Sequence, residues 1–100
     1  MPKGYWIARV TVTDPDQYKH YAEAAPAALK KFGAVFRARA GAHQQLEGDG
    51  RPRNVVIEFP DYETALACYH SPEYQENIKV RQPHSAADLV IIEGYDGPQP

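Results

Sequence analysis

The chain has one cysteine, no glycine-rich phosphate loop, no excess of positive charge and only short apolar runs. Each shortage removes a class of protein. A lone Cys68 cannot close an internal disulfide, and a cytoplasmic location is expected. Gly48-Asp49-Gly50 fits a hairpin turn rather than a nucleotide cradle. The net charge is −2, and Arg51 and Arg53 flank a proline in an expected loop. Two such charges make no phosphate track, so nucleic acid is not an expected partner. The apolar stretch at Val55, Val56 and Ile57 is far short of the ~20 residues that cross a membrane, and no membrane is expected. The opening MPKGYWIARV enters a strand pattern at once and carries no signal-peptide core.

What is present reads as one globular domain. Of 100 residues, 43% are hydrophobic and 24% charged, which is ordinary for a packed domain. Its expected bounds are residues 1–97, with residues 98–100 a loose tail. Seven of the eleven aromatics are tyrosine, a ring with a polar tip that suits pockets and interfaces.

Residues 4–12 alternate as a strand, with Trp6, Ala8, Val10 and Val12 on one face and Tyr5, Ile7, Arg9 and Thr11 on the other. Asp14, Pro15 and Gln17 open a helix as N-cap, N1 and capping-box partner. Tyr18, Tyr21, Ala22, Ala25, Leu29 and Phe32 form its apolar stripe, and Gly33 stops it. Pro26 removes a backbone hydrogen bond and crowds the Ala22 carbonyl, at ~3 kcal/mol in an ordinary interior. A kink or break between Ala22 and Pro26 is therefore expected in a segment that stays broadly helical. Residues 34–39 form the second strand, with Val35, Arg37 and Arg39 opposite Ala34, Phe36 and Ala38. Gly41 suggests a bulge or bend, and residues 42–47 read as a continuation of that strand.

The stretch VVIEFPDYETALACYHSPEY is the most telling. An apolar third strand, residues 54–59, stops at Pro60, and Asp61 caps a helix immediately. Tyr62, Ala65, Leu66 and Tyr69 are its stripe. Ser71-Pro72 opens a second helical piece that runs to about Gln82, and Pro83 ends it. Residues 87–93 form the fourth strand. The third and fourth strands are apolar on both faces, which suits a sheet covered on both sides.

The order β-α-β-β-α-β builds a four-stranded antiparallel sheet with both helices on one face, an α+β, ferredoxin-like arrangement. Apolar positions on the other face need a cover. A second copy supplies it, so a homodimer packed sheet to sheet is expected.

The segments GYWIARVTVTDPDQYKHYA, VVIEFPDYETALACYHSPEY and DLVIIEGYDG together resemble domain-of-unknown-function family 1330 (DUF1330), of the dimeric α/β-barrel superfamily. The resemblance spans roughly residues 4–97. It implies a ferredoxin-like protomer and a homodimer, and no established activity. The wider superfamily includes cofactor-independent monooxygenases, isomerases and ligand-binding modules, and a cleft between helices and sheet is common among them.

Several side chains could carry chemistry. His20, His43, His70 and His84 show no metal-ligand spacing, so neither metal nor cofactor is expected. Cys68 lies late in its helix with no base nearby and reads as buried filler. Glu58 and Asp88 alternate with apolar neighbours, and Arg9, Arg37 or Arg39 could pair with them structurally or tune a proton-transfer carboxylate. The catalytic candidates are His70 as a base, Glu58, and Tyr21 as an acid. The candidate ligand-binding set is Tyr18, Tyr21, Arg39, Tyr69, Ser71, Tyr74 and Arg81, although Ser71 also reads as a cap, Tyr69 as core, and Arg81 with Lys79 as solvated.

Three readings follow: a homodimeric small-molecule-binding protein, a cofactor-independent enzyme acting on a small aromatic or acidic metabolite, or a structural or regulatory dimer without a ligand. A cavity of ~300 Å³ or more lined by these groups would favour the first two. A solid core would favour the third.

Overall fold

Pro60 makes the tight joint that the sequence implies. β3 (Arg53–Phe59) ends beside it, and Asp61 caps α2 (Tyr62–His70) by accepting the Thr64 amide at 2.7 Å. The joint lies against Gly4, where a Cβ would run into the Asp61 carbonyl, so the first residue of β1 (Gly4–Val12) has to be glycine for strand and joint to close. Ser71 then ends α2 and caps α3 (Pro72–Arg81). Its hydroxyl accepts the Tyr74 amide at 3.2 Å and donates to the Cys68 carbonyl at 2.7 Å. Pro83 lies within a 3-10 turn (Gln82–His84) that leads into β4 (Ser85–Glu93). The computed structural model describes residues 2–100.

The sheet is antiparallel throughout, in the order β2-β3-β1-β4, with β2 spanning Val35–Arg39. All three helices cover one face. Trp6 is the centre of the core beneath them and is 1% exposed. Its indole N–H donates to the Ala65 carbonyl at 2.9 Å, and its ring meets Phe59, Tyr69 and Tyr74. These contacts bind the sheet to both α2 and α3.

α1 (Pro15–Lys30) starts on the Asp14 cap, which accepts the Gln17 amide at 3.2 Å. It runs unbroken through Pro26, so the expected break does not occur. The carbonyl that Pro26 cannot satisfy, on Ala22, accepts a long bond of 3.4 Å from Arg39 Nη2. A side chain from the sheet thus makes up part of the missing backbone bond, and packing on the helix stripe holds the rest. Gly33, at φ +73°, turns the chain out of the helix, with its amide bonded to the Lys30 carbonyl.

β2 departs from the expected alternation. Its register against β3 shifts between Phe36 and Ala38. The extra residue leaves Arg37 on the open face with Glu58 and brings Arg39 to the helix face, over the Phe36 ring. Arg37 and Arg39 therefore do not share a side. The continuation over residues 42–47 is also absent. Ala40 adopts φ +55° while its amide bonds the Asn54 carbonyl, and this left-handed residue turns the chain off the sheet. Residues 40–50 are exposed.

The second face of the sheet is open. Ile7, Val56, Val90 and Ile92 form a band across β3, β1 and β4, and Val90 and Ile92 are 53% and 50% exposed. Polar groups border the band: Tyr5, Arg37 and Glu58 on one side, Arg9, Asn54, Asp88 and Arg51 on the other. The molecule is only 17 Å thick, which is one helix layer on one sheet. Its accessible surface is 6548 Å². A compact chain of this mass exposes about 5,700 Å². The excess reflects the open face and the long exposed loop.

Candidate functional site

Small residues open a space under α1. Ala8 and Ala87 lie on neighbouring strands of the helix face, and Ala22, Ala25 and Pro26 line the same space from above. Larger side chains would close it. The cleft that results has a volume of about 50 Å³. It is neither the solid core of the third reading nor the ~300 Å³ pocket that a whole ligand requires.

Two tyrosines meet within it. The hydroxyls of Tyr21 on α1 and Tyr74 on α3 are 2.5 Å apart, and their rings pack edge to face. Burial first, and each other's proximity second, pushes the Tyr21 pKa above its ordinary value; burial also raises Tyr74. Both stay protonated across the physiological range and act as hydrogen-bond donors, not as bases.

Three arginines converge on the cleft. Each guanidinium lies against an aromatic ring: Arg39 on Phe36 at 4.3 Å, Arg53 on Tyr18 at 5.5 Å, and Arg81 on Tyr21 at 5.6 Å. Arg81 is 9% exposed. The Nε atoms of Arg53 and Arg81 are buried without a hydrogen-bond partner. Among the described residues, no aspartate, glutamate or histidine lines the cleft.

The structure sorts the residues singled out from sequence. Tyr18, Tyr21, Arg39, Tyr74 and Arg81 all line the cleft. Arg81 is buried there, not solvated beside Lys79, which pairs with Glu76 at the surface. Ser71 spends its hydroxyl on the α2–α3 junction, and Tyr69 packs on Trp6 and Tyr74 in the core. His70 is exposed on α2 and lines a broad outer groove of about 580 Å³ along β4, so it is not assembled with Tyr21 as an acid–base pair. That groove opens widely to solvent and has no pair of buried donors converging on it.

Glu58 lies on the open face, bonded to Arg37 and Tyr5 at 3.0 Å each. The Arg37 bond holds its carboxyl below the usual range, and Glu58 in turn raises the Tyr5 phenol. Asp88 pairs with Arg51 at 2.8 Å, not with Arg9, which donates to Asn54 and Gln45. Cys68 is fully buried. Among the described residues, no group of three or more histidine, cysteine or acidic side chains could hold a metal ion, and no helix is long and apolar enough to cross a membrane.

Arg53 was missed. Its place two residues before Val55 gives it the parity of Val55, Ile57 and Phe59, all of which face the helices. Extending the strand by one residue would have found it.

A four-stranded antiparallel sheet with helices on one face and the other face open is a ferredoxin-like protomer. Within that class the chain belongs to the family described as domain of unknown function (DUF1330), whose model matches residues 3–95. Solved structures bear out the fold. A protein of unknown function from Rhodopseudomonas palustris superposes with a TM-score of 0.73 at 15% identity, covering 96% of this chain and 85% of its own. A cofactor-independent oxygenase from Streptomyces nogalater gives 0.66 at 12% identity, covering 97% of each chain. A dimeric protein of unknown function with a ferredoxin-like fold, from Bacteroides fragilis, gives 0.62 at 16% identity, covering 91% of this chain and 95% of its own. At such identities the likeness speaks for the fold alone. No curated protein matches the sequence.

Proposed function

We propose that this protein is a homodimer that binds a small molecule in the cleft between α1, α3 and the sheet. The observation that carries this reading is the convergence of buried polar groups, the paired Tyr21 and Tyr74 hydroxyls and the Arg81 guanidinium, on an aromatic-walled space that they do not fill. A core built only for stability has no reason to bury donors around an opening. At about 50 Å³ the space seats one end of a ligand, with the remainder at the mouth beside Arg39 and Pro26.

The dimer reading rests on the open face. A related fold from Bacteroides fragilis is described as dimeric. A lone buried thiol fits a reducing, cytoplasmic compartment.

The related oxygenase from Streptomyces nogalater motivates an enzymatic alternative. The cleft favours binding over proton abstraction, because its tyrosines are held protonated and, among the described residues, no carboxylate or histidine lines it. Native mass spectrometry of freshly purified protein tests the reading. The expected result is twice the 11.2 kDa protomer mass, with a small adduct released on denaturation. A bare 11.2 kDa species at micromolar concentration would refute the dimer.

A further inference from the structure

Building on the small-molecule reading above, we infer that the cleft binds an organic carboxylate with a flat apolar body, its carboxylate seated on Arg81 with Arg53 beside it. The inference starts from uncompensated charge. Arg81 is 9% exposed, takes part in none of the ion pairs among the described residues and has a buried, unpartnered Nε. An Nε–H taken out of water without a partner is costly. Arg53 brings a second orphaned Nε to the same cleft.

The cleft itself offers no anion to answer them. The described residues lining it include no acid, and it is on the helix side of the sheet. A partner docked on the open face is separated from it by the sheet, so it cannot supply a carboxylate either.

Shape selects the kind of anion. The Arg53 and Arg81 guanidinium carbons lie 5.5 and 5.6 Å from the Tyr18 and Tyr21 ring centres, so an aromatic wall stands beside each cation. A guanidinium edge presents two parallel N–H groups, which match the two oxygens of a carboxylate. The space admits such a headgroup and little more. Tyr21 and Tyr74, kept protonated and bonded to each other, leave one hydroxyl proton of the pair free to donate and add no negative charge. Phe36 and the stem of Arg39 at the mouth give an apolar surface for the ligand's body.

Calorimetric titration of the intact protein with sodium benzoate and with its neutral isostere benzamide, in a low-chloride buffer at neutral pH, tests the inference. Benzoate is expected to bind at least about tenfold more tightly than benzamide. Arg81→Met is expected to erase that preference while leaving benzamide binding in place, and Arg81→Lys to retain part of it. The unliganded Arg81→Met protein is expected to melt at the same temperature or higher, because an apolar side chain replaces an unpaired buried cation. Equal binding of the two probes would overturn the carboxylate assignment and leave the cleft as a neutral binding site. A marked drop in melting temperature for Arg81→Met would overturn it too, since Arg81 would then be satisfied within the fold. Binding of neither probe at about 10 mM would also overturn it. A co-purifying adduct in the native mass spectrum would then separate that failure from failure of the cleft reading itself.

Discussion

Replacing Pro26 with alanine is expected to stabilise the protein and loosen the mouth of its cleft. An interior helical proline is about 3 kcal/mol less favourable than alanine. Two effects reduce the gain. The proline ring restricts the unfolded chain, which is worth about 0.4–1 kcal/mol to the native state. Its two extra ring carbons are half-buried against the cleft, and losing their contacts costs about 0.8 kcal/mol. A net gain of about 1–2 kcal/mol remains, which corresponds to a rise in melting temperature of about 5–12 °C for a domain of this size. The backbone amide that the substitution restores would take the Ala22 carbonyl, which Arg39 now reaches at 3.4 Å. Arg39 would lose that anchor and move more freely. Thermal and urea denaturation give the stability, and crystallographic or NMR observation of Arg39 gives the second effect. An unchanged or lowered melting temperature would refute the reasoning, because it would mean that the Arg39 bond already compensates fully for the missing backbone donor.

Two further outcomes follow from the titrating groups. Burial, with a smaller contribution from Glu73, pushes the Cys68 thiol up to about 12, so a thiol reagent near neutral pH should label the native protein only as fast as it unfolds and the urea-denatured protein at once; rapid native labelling would contradict the burial. Arg37 holds the Glu58 carboxyl below its unfolded value of about 4.3, so its contribution is fully present above that pH and disappears as pH falls through the lower folded value. The melting temperature of the wild-type protein should therefore fall more steeply on acidification than that of Glu58→Gln, and parallel curves would count against the pair.

Much of the fold was legible because its signals are local. Asp14, Asp61 and Ser71 each cap a helix as their spacing implied, and β1 occupies the residues whose alternation marked it. Two misreadings share a cause. Arg39 and the stretch after Ala40 both depend on how β2 lies against β3, and a register shift leaves no mark on the alternation of the strand that carries it. Pro26 was read correctly as a lost hydrogen bond. The rescue of the Ala22 carbonyl involves a residue 17 positions away, beyond any local window. The partner of Asp88 was missed in the same way, since Arg51 reaches it across 37 positions.

The cleft was half legible. Tyr18 and Tyr21 follow from helical spacing, whereas the burial of Arg81 does not, because a basic residue in a last helical turn reads as a solvated partner of the dipole.

The irregularity in β2 has a consequence for how the chain tolerates change. A ribbon of five residues hands one cation to the exterior lattice of ion pairs and another to the interior hollow, and only the register shift keeps those duties apart. A regular weave at the same spacing would send both cations to the same side. Register at this edge therefore matters more than composition, and its loss would be felt on both surfaces at once.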